Sequence, residues 1–306
     1  MIEDNVIEDN PYRLPRSIIP SRYDVELAPD LAAASFSGIV RIEIDIVEAT
    51  AEVVLNAMEL TIRSIVLEPA DGSPVAVTHE LDESTERMII RAGSDLPLGR
   101  AVLTIEFDGV LNDRLRGFYR STFTDDAGAE QVIATSQMQA TDCRKAFPCW
   151  DEPAFKAVFG TTLVVDDGLL AISNSPEISR ESRPGQKVAI RFADTMVMSS
   201  YLVAFVVGRL EMTDPIDVGG IPLRLVHVPG KGHLTAFGLD VGAFALHWFQ
   251  EYYGIPYPGE KVDLVALPDF AAGAMENLGC ITYRENLLLV DPATSTQYEQ
   301  QSLADV

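Results

Sequence analysis

The sequence predicts a mainly β half followed by a segment in which strand and helix mix. Three observations carry this. Apolar and polar residues alternate with a period of two through the first two thirds of the chain. A stretch with three- and four-residue apolar spacing first appears after residue 230. Turn residues punctuate the strands between. With 306 residues the chain can hold two domains, each with its own core. The change of period places the boundary near residue 210, giving a tail over 1–14, a β domain over 15–210 and a second domain over 211–306.

Taken in order, the opening MIEDNVIEDNPY is acidic, reads as a disordered tail and has no basic n-region, so it is no secretory signal. Val40, Ile42, Ile44 and Ile46 then alternate with Arg41, Glu43 and Asp45. Leu103, Ile105 and Phe107 repeat the pattern, as do Val188, Ile190 and Phe192. Asp71-Gly72, Asp126 to Gly128, Asp167-Gly168 and Pro184-Gly185 supply the turns. Past the boundary, Pro222 to Val228 reads as a strand. His233 to Tyr253 reads as a helix whose apolar face is Leu234, Phe237, Val241, Phe244, Ala245, Trp248, Phe249 and Tyr252. Gly254 and Pro256 close that helix. Strands follow at Lys261 to Ala266 and around Ile281 to Tyr283. Thr296 with Glu299 fits a capping box, so a second helix opens there. Nothing after it stops the helix, and the chain is expected to end inside it.

Composition narrows the function. Lys and Arg number 23 against 46 acids, a net charge of −23, which leaves no basic patch for nucleic acid or another phosphate-bearing partner. No apolar run approaches the ~18 residues of a membrane helix, so no membrane association is expected. Cys143, Cys149 and Cys280 form an odd set without C-x-x-C, as expected of a reducing, cytoplasmic setting. Cys143 and Cys149 flank Arg144 and Lys145 but have no evident base and read as packing residues. His79, His227, His233 and His247 include no pair at i, i+4, so no metal ligand set can be assembled locally. There is no G-x-S-x-G, G-x-G-x-x-G or P-loop.

What remains is LPDFAAGAMENLGCITYRE, Leu267 to Glu285. Glu276 is a lone carboxylate beside Ala271, Ala272, Gly273 and Ala274. Small residues let another backbone approach, and an acid among them needs a partner, from the fold or from a ligand. On the residues alone both readings stand.

PDFAAGAMENLGCITYRE resembles the exopeptidase motif of the aminopeptidase N family of zinc metallopeptidases. YRLPRSIIPSRYDVELAPDL, GFYRSTF, ATSQMQATDCRKAFPCWDEPAFKAVF and MSSYLVAFVVGRLE resemble further segments of that family in the same order, so the resemblance covers nearly the whole chain. It implies a saddle-like β domain packed on the α+β start of a thermolysin-like catalytic domain. It further implies zinc-dependent removal of N-terminal residues from peptides with a free N-terminus. The zinc-binding H-E-x-x-H, the general base and the transition-state tyrosine would all lie beyond Val306. The chain alone is therefore expected to hold no catalytic residue and no zinc, to be inactive, and to be poorly protected from about residue 220.

Within the chain, the resemblance makes Gly273, Ala274, Met275, Glu276 and Asn277 the edge along which a peptide lies extended, with Glu276 receiving its α-amine. Ser136-Gln137-Met138-Gln139 stands where the family has a TQFE-like string. Gln137 matches, whereas Gln139 occupies a position where glutamate is commoner, a departure similar to leukotriene A hydrolase-like members, which carry glutamine there. A bifunctional epoxide hydrolase–aminopeptidase is therefore one alternative, and a non-enzymatic binding scaffold another. Asp142, Arg144, Asp151 and Glu152 are expected to form a buried ion-pair network fixing the domain interface, and Tyr283, Arg284 and Glu285 to act likewise.

Overall fold

The computed structural model describes residues 13–306, so all but the last two residues of the expected N-terminal tail lie outside the described residues. Up to Gly208 the described residues form fourteen strands in three sheets. In order they are β1 (Ile18–Asp30), β2 (Ser35–Ile46), β3 (Glu52–Asn56), β4 (Leu60–Pro69), β5 (Val77–Asp82), β6 (Arg87–Ala92) and β7 (Gly99–Val110). Then come β8 (Gly117–Thr124), β9 (Glu130–Gln137), β10 (Val158–Asp166), β11 (Leu170–Ser173), β12 (Glu177–Arg183), β13 (Lys187–Phe192) and β14 (Phe205–Gly208).

A seven-stranded sheet runs β12-β13-β10-β1-β2-β7-β4, antiparallel except for the β1–β10 pair. A three-stranded sheet runs β3-β6-β5 and a four-stranded one β11-β14-β9-β8. The period-two residues behave as expected. Val40, Ile42, Ile44 and Ile46 on β2 are buried, as are their neighbours Leu103, Ile105 and Phe107 on β7, while Arg41 faces solvent. The core between the sheets is aromatic at its centre. Tyr23 stacks on Phe159 at 4.9 Å, and Phe205 meets Phe118 at 5.8 Å and Phe147 at 6.3 Å between ring centres.

From Glu211 onward the strands build one further sheet. These are β15 (Glu211–Met212), β16 (Ile216–Val218), β17 (Ile221–His227), β18 (Val262–Leu267), β19 (Ala274–Met275) and β20 (Cys280–Arg284). The order is β15-β17-β18-β20-β19, with β16 also on β17; β17, β18 and β20 are parallel. Helix α1 (Ala236–Tyr253) connects β17 to β18, and α2 (Gln297–Asp305) closes the chain. Gly254 leaves α1 in the left-handed conformation, and Thr296 with Glu299 forms the complete capping box at α2.

The packing of α1 corrects one expectation. Phe244, Trp248, Phe249 and Tyr252, assigned to the apolar face, are exposed, Phe244 by 68% and Tyr252 by 66%. The face turned to the sheet is instead Leu239, Ala243 and Leu246, with Gly238 and Gly242 between them. A Cβ at Gly238 would meet the Leu288 carbonyl oxygen at 2.6 Å, so only glycine lets the helix lie this close. The spacing rule found the helix but chose the larger apolar stripe, whereas the sheet accepts the smaller one.

A second core joins the two parts. Ile133, Ile172 and Val206 of the four-stranded sheet pack with Val226, Val265 and Leu267 of the last sheet, and Phe270, Met275 and Cys280 belong to the same cluster. This junction carries the segment around Glu276.

Candidate substrate-recognition site

Strand β19 is two residues long and lies at the sheet edge, pairing antiparallel with β20 through Ala274↔Tyr283 and Met275↔Thr282. Alternation along an extended backbone then sets the side chains. Met275 is buried in the joining core, Glu276 emerges to solvent, and Asn277 is buried again. Among the described residues the Glu276 carboxylate has no hydrogen-bond or ion-pair partner. Ala274 and Gly273 beside it are half-buried and carry no bulk. An edge strand with small side chains and a free carboxylate one residue on can accept a further strand that brings a cation.

Gln137 ends β9 on the side shared by Ile133 and Thr135, which faces the second part of the chain. It is buried, and its Oε1 has no partner; its Nε2 reaches the Gln139 carbonyl only at 3.5 Å. Asn277 Oδ1 is likewise buried and unpartnered, although its amide donates to Thr282 Oγ1 at 3.3 Å. Two buried acceptors without donors are unusual and mark places where a donor can be received. Gln139 is exposed, and the peptide bond after it is cis. No hydrogen bond joins Gln137 or Gln139 to Glu276. Tyr119 on the neighbouring β8, opposite Thr135 in the register, donates its hydroxyl to the Asp269 carbonyl ahead of β19 at 2.9 Å.

The ion-pair network exists, but it is not at the interface. Arg144 bonds Asp151 at 3.0 Å and Glu86 at 2.8 Å, Lys145 bonds Asp142 at 3.0 Å, and Glu152 takes Arg13 at 3.2 Å. All these partners precede residue 211, so the network braces the first part internally. Arg284, by contrast, does act near the site. Its guanidinium donates to the Phe270 and Ala271 carbonyls at 3.1 and 2.7 Å, holding the loop that leads into β19. Glu285 pairs with Lys231 at 2.6 Å. Sequence reasoning missed Asn174, Lys261 and Asp269, which carry the interface. The available signals were a lysine opening an apolar strand and the aspartate five residues ahead of Ala274.

Among the described residues, Cys143, Cys149 and Asp151 bring ligand atoms within 4.8 Å of one another. This group is already satisfied. Asp151 Oδ2 accepts from the Arg144 backbone and Nε, and Oδ1 accepts from Ser200 Oγ at 2.6 Å. Burial holds both thiols protonated by raising them above their ordinary range. Of the histidines, His227 is buried with Nδ1 2.8 Å from the Val228 carbonyl, and the other three are exposed. The described residues thus do not fit an open zinc site of three convergent ligands.

A β assembly packed on a βαβ sheet is the architecture of this chain, and the chain belongs to the peptidase M1 family. The profile of the Peptidase M1 N-terminal domain matches residues 19–202, and that of the Peptidase family M1 domain matches 237–306. Among individual relatives, Aminopeptidase M1 of Arabidopsis thaliana is 43% identical over 298 residues, 96% of this chain and 34% of that protein. The puromycin-sensitive aminopeptidase of Caenorhabditis elegans is 40% identical over 295 residues, 95% of this chain and 31% of that protein. Aminopeptidase 2, mitochondrial, of Saccharomyces cerevisiae is 38% identical over 295 residues, 96% of this chain and 31% of that protein. The chain spans about a third of the length of these relatives. Among the described residues no helix is long and apolar enough to cross a membrane.

Proposed function

We propose that this chain supplies the N-terminus-recognising part of a zinc aminopeptidase, with a β domain over 15–210 and the opening of the catalytic domain over 211–306. The observation that carries the reading is the unpartnered Glu276 carboxylate beside the edge strand Ala274–Met275. A peptide adds to that edge as a strand, with Gly273 and Ala274 leaving room for its backbone. Its α-amine, with an ordinary pKa of ~7.7–8.0, is largely cationic near neutrality and pairs with Glu276. The orphaned Oε1 of Gln137, on the side of β9 that faces the second part, is an acceptor for a further donor of a bound N-terminus. An acetylated or internal peptide brings no cation and leaves Glu276 desolvated and unpaired, so it is rejected.

Zinc would be held by residues outside these 306, and when bound it would polarise the scissile carbonyl and activate water. The neutral Gln139 contributes a dipole where a carboxylate would contribute charge, so the amine relies chiefly on Glu276. Three free, buried cysteines support a reducing compartment such as the cytoplasm.

The test is substrate choice by an enzyme that joins this chain to the rest of an M1 domain. Free aminoacyl-anilides should be hydrolysed and their N-acetyl analogues and lipid epoxides should not. Equal turnover of acetylated and free substrates would remove the amine-recognition role, and epoxide turnover would favour the bifunctional reading.

A further inference from the structure

The recognition strand has almost no sheet of its own. Its pairing with β20 covers two residues, yet Glu276 must be held to within a fraction of an ångström to discriminate a chain end. The segment is instead fixed at both ends to the first part of the chain. Upstream, Asp269 is tied to β8 by four bonds. Its carboxylate accepts from the Thr122 backbone at 2.8 Å and from Ser121 Oγ at 3.1 Å. Its own N–H donates back to Ser121 Oγ at 3.1 Å, and its carbonyl accepts from Tyr119.

Downstream, the turn Leu278–Gly279 is tied to the end of β11. Asn174 donates to the carbonyls of Leu202 and Leu278, both at 2.8 Å, and accepts from the Ala204 N–H at 3.0 Å. The buried Lys261 ammonium spans the junction. It donates to Ser173 O at 2.8 Å, Gly279 O at 2.6 Å and Asp263 at 2.7 Å, so all three of its donors are used. Gly279 has φ +74°, and a Cβ there would collide with the Asn174 carbonyl oxygen. Its N–H is received by the Tyr257 hydroxyl at 2.8 Å, and Leu278 packs against the core of the first part.

We infer that Asp269, Asn174 and Lys261 are positioning residues that suspend the Glu276 strand from the β domain, so that the β domain sets the geometry of amine recognition. None of them points a free group at a substrate; they act through Glu276. This rests on the amine-recognition reading for its consequence in catalysis, but the suspension itself can be measured without it. Lys261→Met removes the cation between two carbonyls and leaves Ser173 O without its donor. Asp269→Ala removes the acceptor of two bonds, whereas Asp269→Asn keeps an acceptor oxygen.

The test has two arms. In the 306-residue chain, hydrogen exchange of amides 274–282 should become at least about tenfold faster in Asp269→Ala and in Lys261→Met. It should stay near wild type in Asp269→Asn, with β1 and β2 unchanged in all three. Unchanged exchange at 274–282, or equal acceleration everywhere, overturns the suspension. If Asp269→Ala does not fold, Lys261→Met alone decides this arm.

In an enzyme joining this chain to the rest of an M1 domain, Lys261→Met and Glu276→Gln are combined in a double-mutant cycle on an aminoacyl-anilide, with zinc content checked. Each single change should lower kcat/KM at least about tenfold, and the double mutant should fall little below Glu276→Gln alone. Fully multiplicative losses would show that Lys261 acts elsewhere. A Glu276→Gln enzyme with undiminished kcat/KM would instead overturn the amine-recognition reading, leaving the exchange arm to judge the suspension.

Discussion

The two parts of the chain hide their large side chains very differently. In the first, Phe118, Phe147, Trp150 and Phe205 are wholly buried within one aromatic core. In the second, helix α1 shows Phe244, Trp248, Phe249 and Tyr252 to solvent, stacked on one another, as in the 4.7 Å Trp248–Tyr252 pair, rather than into a core. The first part thus has a large core of its own. The second has a smaller core between α1 and its sheet, and meets the first through the joining core and the tethers at Asp269, Asn174 and Lys261. The proposed amine-recognising residue, Glu276, lies in the second part, between these tethers.

The comparison breaks first on stability. Phe205→Ala should cost about 3–5 kcal/mol in urea unfolding, because it empties a site walled by Phe118 and Phe147. Phe244→Ala and Tyr252→Ala should each stay within about 0.5 kcal/mol. Similar costs for both kinds of change would mean that the α1 aromatics are not idle.

The thiols sharpen the same contrast. Burial pushes Cys280 up to about 12, so the folded state disfavours its thiolate while the unfolded chain ionises near its ordinary value of about 9. Between those two values the unfolded state binds fewer protons, and stability falls as pH rises, by about 1.4 kcal/mol per pH unit for this one group. Cys280→Ala should make the slope of stability against pH shallower by that amount between pH 9 and 11. In native buffer, a thiol reagent should modify Cys280 before Cys143 and Cys149, since local opening of the second part exposes it. Faster modification of the first-part thiols would reverse the ranking of the two regions.

The smallest effect is at the last helix. Thr296 Oγ1 accepts the Glu299 N–H at 3.2 Å while Glu299 takes the Thr296 N–H at 2.7 Å. Thr296→Ala should cost about 1 kcal/mol, seen as faster amide exchange over 297–300 with no change in β18.

Local rules read much of this molecule. Alternation located β2, β7 and β13, and glycine and capping chemistry located the ends of α1 and the start of α2, because each is decided by neighbours in sequence. The edge placement of Gly273 to Asn277 came with the resemblance, the residues alone leaving it open, and Ala274 and Met275 do form an edge strand. What sequence did not give was which side of α1 meets the sheet, because that depends on how close Gly238 lets the helix come to Leu288. Nor did it give the tethers. Asp269 and Ser121 are 148 residues apart, and Lys261 and Ser173 are 88 apart, so no local pattern announces either pair. The Arg144 network was rightly read as buried, but its partners Glu86 and Ser200 turn it inward rather than to the interface.

The most direct test of amine recognition is Glu276→Gln in an enzyme that joins this chain to the rest of an M1 domain. The charge-assisted bond it removes is worth about 1.5–3 kcal/mol. The account predicts that kcat/KM on free aminoacyl-anilides falls roughly 10- to 150-fold at unchanged zinc content, as that range converts at about 1.4 kcal/mol per decade. An unchanged kcat/KM would contradict it.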